Sequence, residues 1–172
     1  MSKKLIMLLL LVSILLLSSC SSGGGRIRIS DDSDKKADER LEQLLKTIKN
    51  KDKDAFKAIF SKQALSEAND FDGCTEYLFE FFQGGVESWK RDRFTSETSS
   101  ESGKKSVMLV SWYTVVTDKD KYMFFLIDYT KDTINPDNAG LYTLRVIKAE
   151  DKETQFTFWQ DMKLAGIYKP KE

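Results

Sequence analysis

Ser106-Val107-Met108-Leu109-Val110-Ser111-Trp112-Tyr113-Thr114-Val115-Val116-Thr117 runs into Asp118-Lys119-Asp120 and then Lys121-Tyr122-Met123-Phe124-Phe125-Leu126-Ile127-Asp128-Tyr129-Thr130. Both flanks are dense in β-branched and aromatic residues, which suit a pleated, packed surface. Both are apolar on their two faces, the mark of strands covered on both sides. A charged three-residue break between them is a turn. The stretch therefore predicts a hairpin at the centre of a sheet, with Trp112 and Phe125 buried.

The neighbouring segments extend this sheet. Downstream, Asn135-Pro136-Asp137-Asn138 with Gly140 reads as a loop leading into a strand over 141–149. Upstream, Ser100 to Lys105 reads as a loop, and the polar alternation of Glu87 to Ser99 predicts an exposed edge strand. Before it the apolar period changes to that of helices. Ala37, Leu41, Leu44, Leu45 and Ile48 mark a first helix with Asp34 as its expected N-cap. A second helix is expected from Asp52, carrying Ala55, Phe56, Ile59 and Phe60 and continuing to Ala64 and Leu65. A third carries Phe71, Cys74, Tyr77, Leu78, Phe81 and Phe82 and stops at Gly84-Gly85. The tail keeps Phe156, Phe158, Trp159, Met162, Leu164 and Ile167, so it is expected to dock until Pro170 ends the order.

The expected class is α+β, with three N-terminal helices packed on a curved antiparallel sheet of about four strands. That arrangement resembles the NTF2-like (cystatin-like) fold, a cone with a pocket at its open end. The aromatic stripes of the helices are read as core faces.

The N-terminus has its own logic. Lys3 and Lys4 precede an apolar run from Leu5 to Leu17, which ends in Ser18-Ser19-Cys20. The run falls short of the roughly 20 residues of a membrane span and has the build of a signal peptide. Leu17-Ser18-Ser19-Cys20 resembles the bacterial lipobox, in which the cysteine is acylated and becomes the new N-terminus. The expected organisation is a signal peptide over 1–19, a flexible tether over 20–36 behind lipidated Cys20, and one globular domain over 37–170. The implied location is the extracytoplasmic face of the cell membrane, with the membrane itself as a partner. Arg26 and Arg28 in the tether are solvated or rest on anionic headgroups.

Composition narrows the chemistry. The chain has no histidine, which excludes Ser-His-Asp and Cys-His catalysis. It has two cysteines. With Cys20 lipidated, Cys74 has no partner for an intramolecular disulfide, and neither supplies a zinc set. Cleavage before Cys20 removes Lys3 and Lys4 from a chain with 27 basic and 27 acidic residues, leaving an excess of two acids. No basic surface for nucleic acid is expected. Gly23-Gly24-Gly25 follows no strand and is a spacer rather than a phosphate loop. Asp31-Asp32-Ser33-Asp34 and Asp118-Lys119-Asp120 lack the order of a calcium loop. No cofactor or metal is expected.

Asp128 is the sharpest candidate, a carboxylate late in an otherwise apolar strand. Arg145, between Leu144 and Val146, is its expected partner across the sheet, in an ion pair or a site. Trp112 and Tyr129 complete the expected ligand-binding set, and Tyr113, Tyr129 and Tyr142 are the hydroxyls available to stabilise an oxyanion.

Two further stretches carry a resemblance. Asp128-Tyr129-Thr130-Lys131-Asp132-Thr133-Ile134-Asn135-Pro136 is followed by Gly140-Leu141-Tyr142 and Arg145-Val146-Ile147. Phe158-Trp159-Gln160-Asp161-Met162-Lys163-Leu164-Ala165-Gly166-Ile167-Tyr168 then precedes Pro170. With the lipobox and the helical first half, these resemble a family of uncharacterised Gram-positive lipoproteins, the domain of unknown function 5104. The resemblance implies an NTF2-like fold and a surface lipoprotein, and it transfers no catalytic residues. Three functional expectations follow. The leading one is a non-catalytic module binding a small apolar ligand or an envelope protein. The second is an isomerase or hydrolase using Asp128 as general base. The third is a structural lipoprotein that forms a homodimer through its sheet.

Overall fold

The computed structural model describes residues 32–156 and 162–170. Cys20, the signal peptide and residues 20–31 of the expected tether lie outside the described residues, as do Phe158 and Trp159 of the tail.

Among the described residues, five strands form one sheet in the order β1-β2-β3-β4-β5. They are β1 (Val86–Glu101), β2 (Lys104–Thr117), β3 (Lys121–Asp132), β4 (Gly140–Lys148) and the short β5 (Gly166–Ile167). The first four are antiparallel neighbours, and β5 pairs parallel to β4. The predicted hairpin is β2–β3, with Trp112 opposite Phe125. The meander of four gains a fifth strand because the docked tail adds β5 to the free edge of β4.

β1 is the exposed edge strand expected. The loop expected at Ser100–Lys105 is shorter, since Glu101 pairs with Lys104. Ser102 and Gly103 both take positive φ (49° and 80°), the conformation of a two-residue turn that matches strand twist.

Among the described residues, four helices precede the sheet: α1 (Ser33–Asn50), α2 (Lys53–Lys57), α3 (Lys62–Glu67) and α4 (Phe71–Phe81). α1 begins earlier than the sequence suggested, so residues 33–36 are helical rather than tether. Asp32 occupies the N-cap position, and Asp34 lies in the first turn beside the positive end of the helix dipole. Asp52 caps α2, Ser61 caps α3 and Asp70 caps α4, each accepting a backbone N–H three residues on.

The single helix expected over 52–65 is two. Ser61 N–H donates to the Leu141 carbonyl and Leu141 N–H donates to the Ile59 carbonyl, so the linker joins β4 as an isolated bridge. Those edge hydrogen bonds take the place of helix bonds at the break. Gly140 permits the approach: its φ is 125°, and a Cβ there would stand 2.9 Å from Ser61 N.

Between helices and sheet the interior is filled. Leu41, Leu44, Phe56, Tyr113, Phe124 and Leu126 are buried to within 1% of complete, and Phe56 packs edge-on against Phe60 and Phe79. The opposite sheet face has a smaller cluster of Val110, Phe125, Ile127 and Met162, with Phe156 against it. The tail therefore docks at Met162 and Ile167. Trp112 is only half-buried on this second face, a correction to its expected burial. No described helix is long and apolar enough to cross a membrane.

Candidate functional site

Side chains alternate along β3, so Phe124, Leu126 and Asp128 point to the helices, while Phe125 and Ile127 point away. Asp128 is 2% exposed. Its Oδ2 accepts from Arg40 Nε of α1 at 3.0 Å, and its Oδ1 has no hydrogen bond. Burial pushes its carboxyl above the usual range, with the Arg40 charge and hydrogen bond opposing. The partner is thus Arg40, not Arg145. Arg145 stands opposite Phe125 in the β3–β4 register, which turns it to the other face.

Arg40 was legible in one respect. It lies three residues after Ala37 and four before Leu44, within the apolar stripe of α1, where a lone guanidinium needs a buried counter-charge. A second set of polar contacts holds the same end of α1. Arg91 of β1 donates to the Asp34 carbonyl and to Asp38 Oδ1, both at 2.7 Å. The buried Tyr113 hydroxyl donates to that Asp38 oxygen, and burial pushes the phenol far above its ordinary value. Tyr113, Asp38 and Arg91 attach a helix, and Asp128 lines none of the cavities described below.

The largest of these is a cleft of about 840 Å³ at the β4–β5 edge, within the size range of small-molecule sites. Arg145, 6% exposed, lies in its lining with Gln155, Tyr168, Cys74, Glu67 and Asp70. Arg145 Nη1 donates to the Gln155 carbonyl at 2.8 Å, and the guanidinium stacks 3.8 Å from the Tyr168 ring centre. Tyr168 is fixed in turn by its hydroxyl, which donates to Gln155 Oε1 at 2.6 Å. The result is a rigid, planar, permanently charged donor on an aromatic plate. The Cys74 thiol is pushed up by burial, which makes it an inert part of the wall.

Glu67 is the acidic counterpart. Tyr142 and Gln63 donate to its two carboxylate oxygens, and these bonds hold it below the usual carboxylate range. The Tyr142 phenol is pushed up to about 12, by burial first and then by that bond. Tyr142 owes its outward position to a register shift between Ile127 and Asp128, where Asp128 pairs with Leu141.

A second cavity of about 410 Å³ lies on the face away from the helices, lined by Trp112, Arg93, Met123, Lys152, Phe156 and Met162 with Asp92. Arg93 sits 5.6 Å over the Trp112 ring. Tyr129 meets Tyr142 edge-on.

The four expected binding residues do not converge. Asp128 is in the helix-side core, Arg145 in the edge cleft, Trp112 in the far-face cavity and Tyr129 beside Tyr142. Tyr168 and Gln155, which organise Arg145, were missed because they come from the tail. The only sequence signal was the tail's apolar and aromatic character, which required it to dock.

The family model for a domain of unknown function, DUF5104, matches residues 43–149, from the middle of α1 to the end of β4. No curated protein matches the chain. Asp128, Arg145, Trp112 and Tyr129 lie inside the matched stretch, and Gln155 and Tyr168 lie beyond it. Because that stretch covers more than half of the sequence, this chain belongs to the DUF5104 family.

Proposed function

We propose that this protein is a lipoprotein held at the extracytoplasmic face of the cell membrane through Cys20, and that its domain binds a small ligand or an envelope protein without catalysing a reaction. The lipobox supports the anchoring half. The binding half is carried by one observation, the cleft of about 840 Å³ in which buried Arg145 is locked against Tyr168. A preformed cleft with few, fixed polar groups is the usual build of a ligand site. We read the architecture as NTF2-like, with long antiparallel strands bearing the helices on one side. In this reading the cone interior is occupied by core side chains, so binding moves to the edge cleft.

A screen of small molecules by amide chemical-shift perturbation tests this. Compounds that bind should shift residues 67–74, 145 and 164–170 together. If hits map only elsewhere, or none are found, the small-ligand reading fails and protein contact is left.

The reading as a carboxylate-dependent isomerase or hydrolase has less support. Asp128 is enclosed as a general base requires, but it is enclosed by core and tied to Arg40. The homodimer reading meets charged and exposed Lys90, Asp92 and Arg93 on the open edge of β1, a composition that discourages edge pairing.

A further inference from the structure

We propose that the outer half of β1, residues 94–101, is a docking edge that takes an extended segment of a partner protein as an added strand, with basic side chains of the partner set against Glu97 and Glu101. This surface shares none of the lining residues of the edge cleft. It goes beyond the cleft and commits the envelope-protein half of the reading above to one kind of partner.

β1 is the longest strand, and among the described residues nothing pairs with its outer edge. An open edge is a row of unpaired amide and carbonyl groups, which folded proteins blunt with bulges, lysine or proline. The first half of β1 is blunted in this way. Its register with β2 shifts between Val86 and Ser88 and again between Arg91 and Arg93, and Lys90, Asp92 and Arg93 are exposed along it. The guards stop there. From Phe94 opposite Ser111 to Glu101 opposite Lys104 the ladder runs without a shift. Residues 94–101 contain no lysine, arginine, proline or glycine. Every residue of 95–101 is exposed, so neither face obstructs an added strand, and Thr95 and Thr98 suit extended backbone.

Charge selects the occupant. Side chains two apart share a face, so Thr95, Glu97, Ser99 and Glu101 stand in one row. Glu101 is opposite Lys104, but Glu97 is opposite Met108 and has no basic residue across the ladder. Met108 packs with the cluster on the face away from the helices, and the row lies on that face. A second copy fits poorly. Antiparallel self-pairing of the whole stretch about Thr98 puts the second copy's Ser99 opposite Glu97, with that copy's Glu97 and Glu101 on the two diagonals. Carboxylates so placed are within reach of one another and repel. A strand with basic side chains at alternate positions turns the same row into attractive pairs. Its backbone supplies the missing hydrogen bonds, the usual mode of strand addition.

The test uses the full-length protein in detergent micelles and the fluorescein-labelled peptide acetyl-Thr-Lys-Val-Lys-Val-Lys-Thr-amide, followed by fluorescence anisotropy at low salt. Running antiparallel, this peptide sets its lysines opposite Glu97, Ser99 and Glu101. It should bind about tenfold more tightly than the same peptide with glutamate for lysine, the scale of two attractive cross-strand pairs made repulsive. A third peptide keeps the lysines but is N-methylated at every residue, and without amide donors it should not bind. Hydrogen exchange should slow within 94–101 when the lysine peptide is bound. Glu97→Lys, at an exposed position, should weaken the lysine peptide and strengthen the glutamate one. No binding, equal binding of the lysine and glutamate peptides, undiminished binding of the methylated one, or indifference to Glu97→Lys overturns the proposal. A protein dimer in analytical ultracentrifugation that Thr98→Lys dissolves also overturns it and gives the edge to a second copy. The small-molecule screen decides the cleft separately, so none of these outcomes bears on the small-ligand reading.

Discussion

Asp128 sits where two electrostatic effects oppose one another. Burial raises its carboxyl, and Arg40 offsets this only in part. The folded state therefore holds this proton more tightly than the unfolded chain does. Its contribution to stability is complete below the unfolded value, near 3.8, and is lost as pH rises through the higher folded one. Asp128→Asn keeps the shape without a charge to bury. Measured by denaturant unfolding, wild type should lose ground to this variant as pH is raised from below 3.8 to neutrality. A stability difference that stays constant over that range would show that Asp128 is not shifted. Arg40→Ala should act in the opposite sense at neutral pH. It strands a buried carboxylate and should cost about 3–5 kcal/mol, less in acid, where the proton replaces the partner. A loss below about 1 kcal/mol at pH 7, the scale of an exposed pair, would mean that solvent reaches the carboxylate.

Among the elements, α1 has two unlike halves. Its C-terminal half buries Leu44, Leu45 and Ile48, whereas its first two turns bury only Ser33 and Ala37. There the contacts to the sheet are polar, through Arg91 to Asp34 and Asp38 and through Arg40 to Asp128. Arg91→Ala should cost about 1 kcal/mol, the scale of partly exposed pairs. Amides 36–41 should then exchange faster while 44–50 stay protected. Uniform acceleration along the helix would mean that it opens as one unit. The two sheet faces divide the hairpin in the same way. Phe125→Ala should cost about 3–5 kcal/mol, as for aromatic core deletions. Trp112→Ala should cost clearly less, because its ring is only half-buried. Equal losses would show that the far-face cluster covers Trp112 as completely as Phe125.

At the scale of the whole molecule, the described domain and the anchor proposed to carry it are separate stretches of the sequence. Cys20→Ala should abolish incorporation of labelled fatty acid and leave an uncleaved precursor, while thermal unfolding of the domain stays unchanged. Labelling that survives the substitution would remove the lipoprotein reading. Stable attachment needs more than one acyl chain, since a single chain binds membranes only marginally.

Local patterning determined the order and type of the elements. Alternation and β-branching marked β1 to β4, helical spacing marked α1 and α4, and Asp52 marked where α2 starts. Those signals are short-range, so they are written in neighbouring residues. The burial of Asp128 was only half legible, because a carboxylate late in a strand apolar on both faces is either wet at the strand end or buried and paired, and packing chose the second. Its partner was not: Arg40 lies 88 residues away in sequence, and only the packing of α1 on the sheet selects it. The split of Asp128 and Arg145 between faces came from β3–β4 register, which is set by how the strands pair rather than by either strand's composition. The break between α2 and α3 required the edge of β4 to compete with helix hydrogen bonds. The edge cleft, assembled from α3, α4, β4 and the tail, existed in no single stretch of the chain until long-range packing closed it.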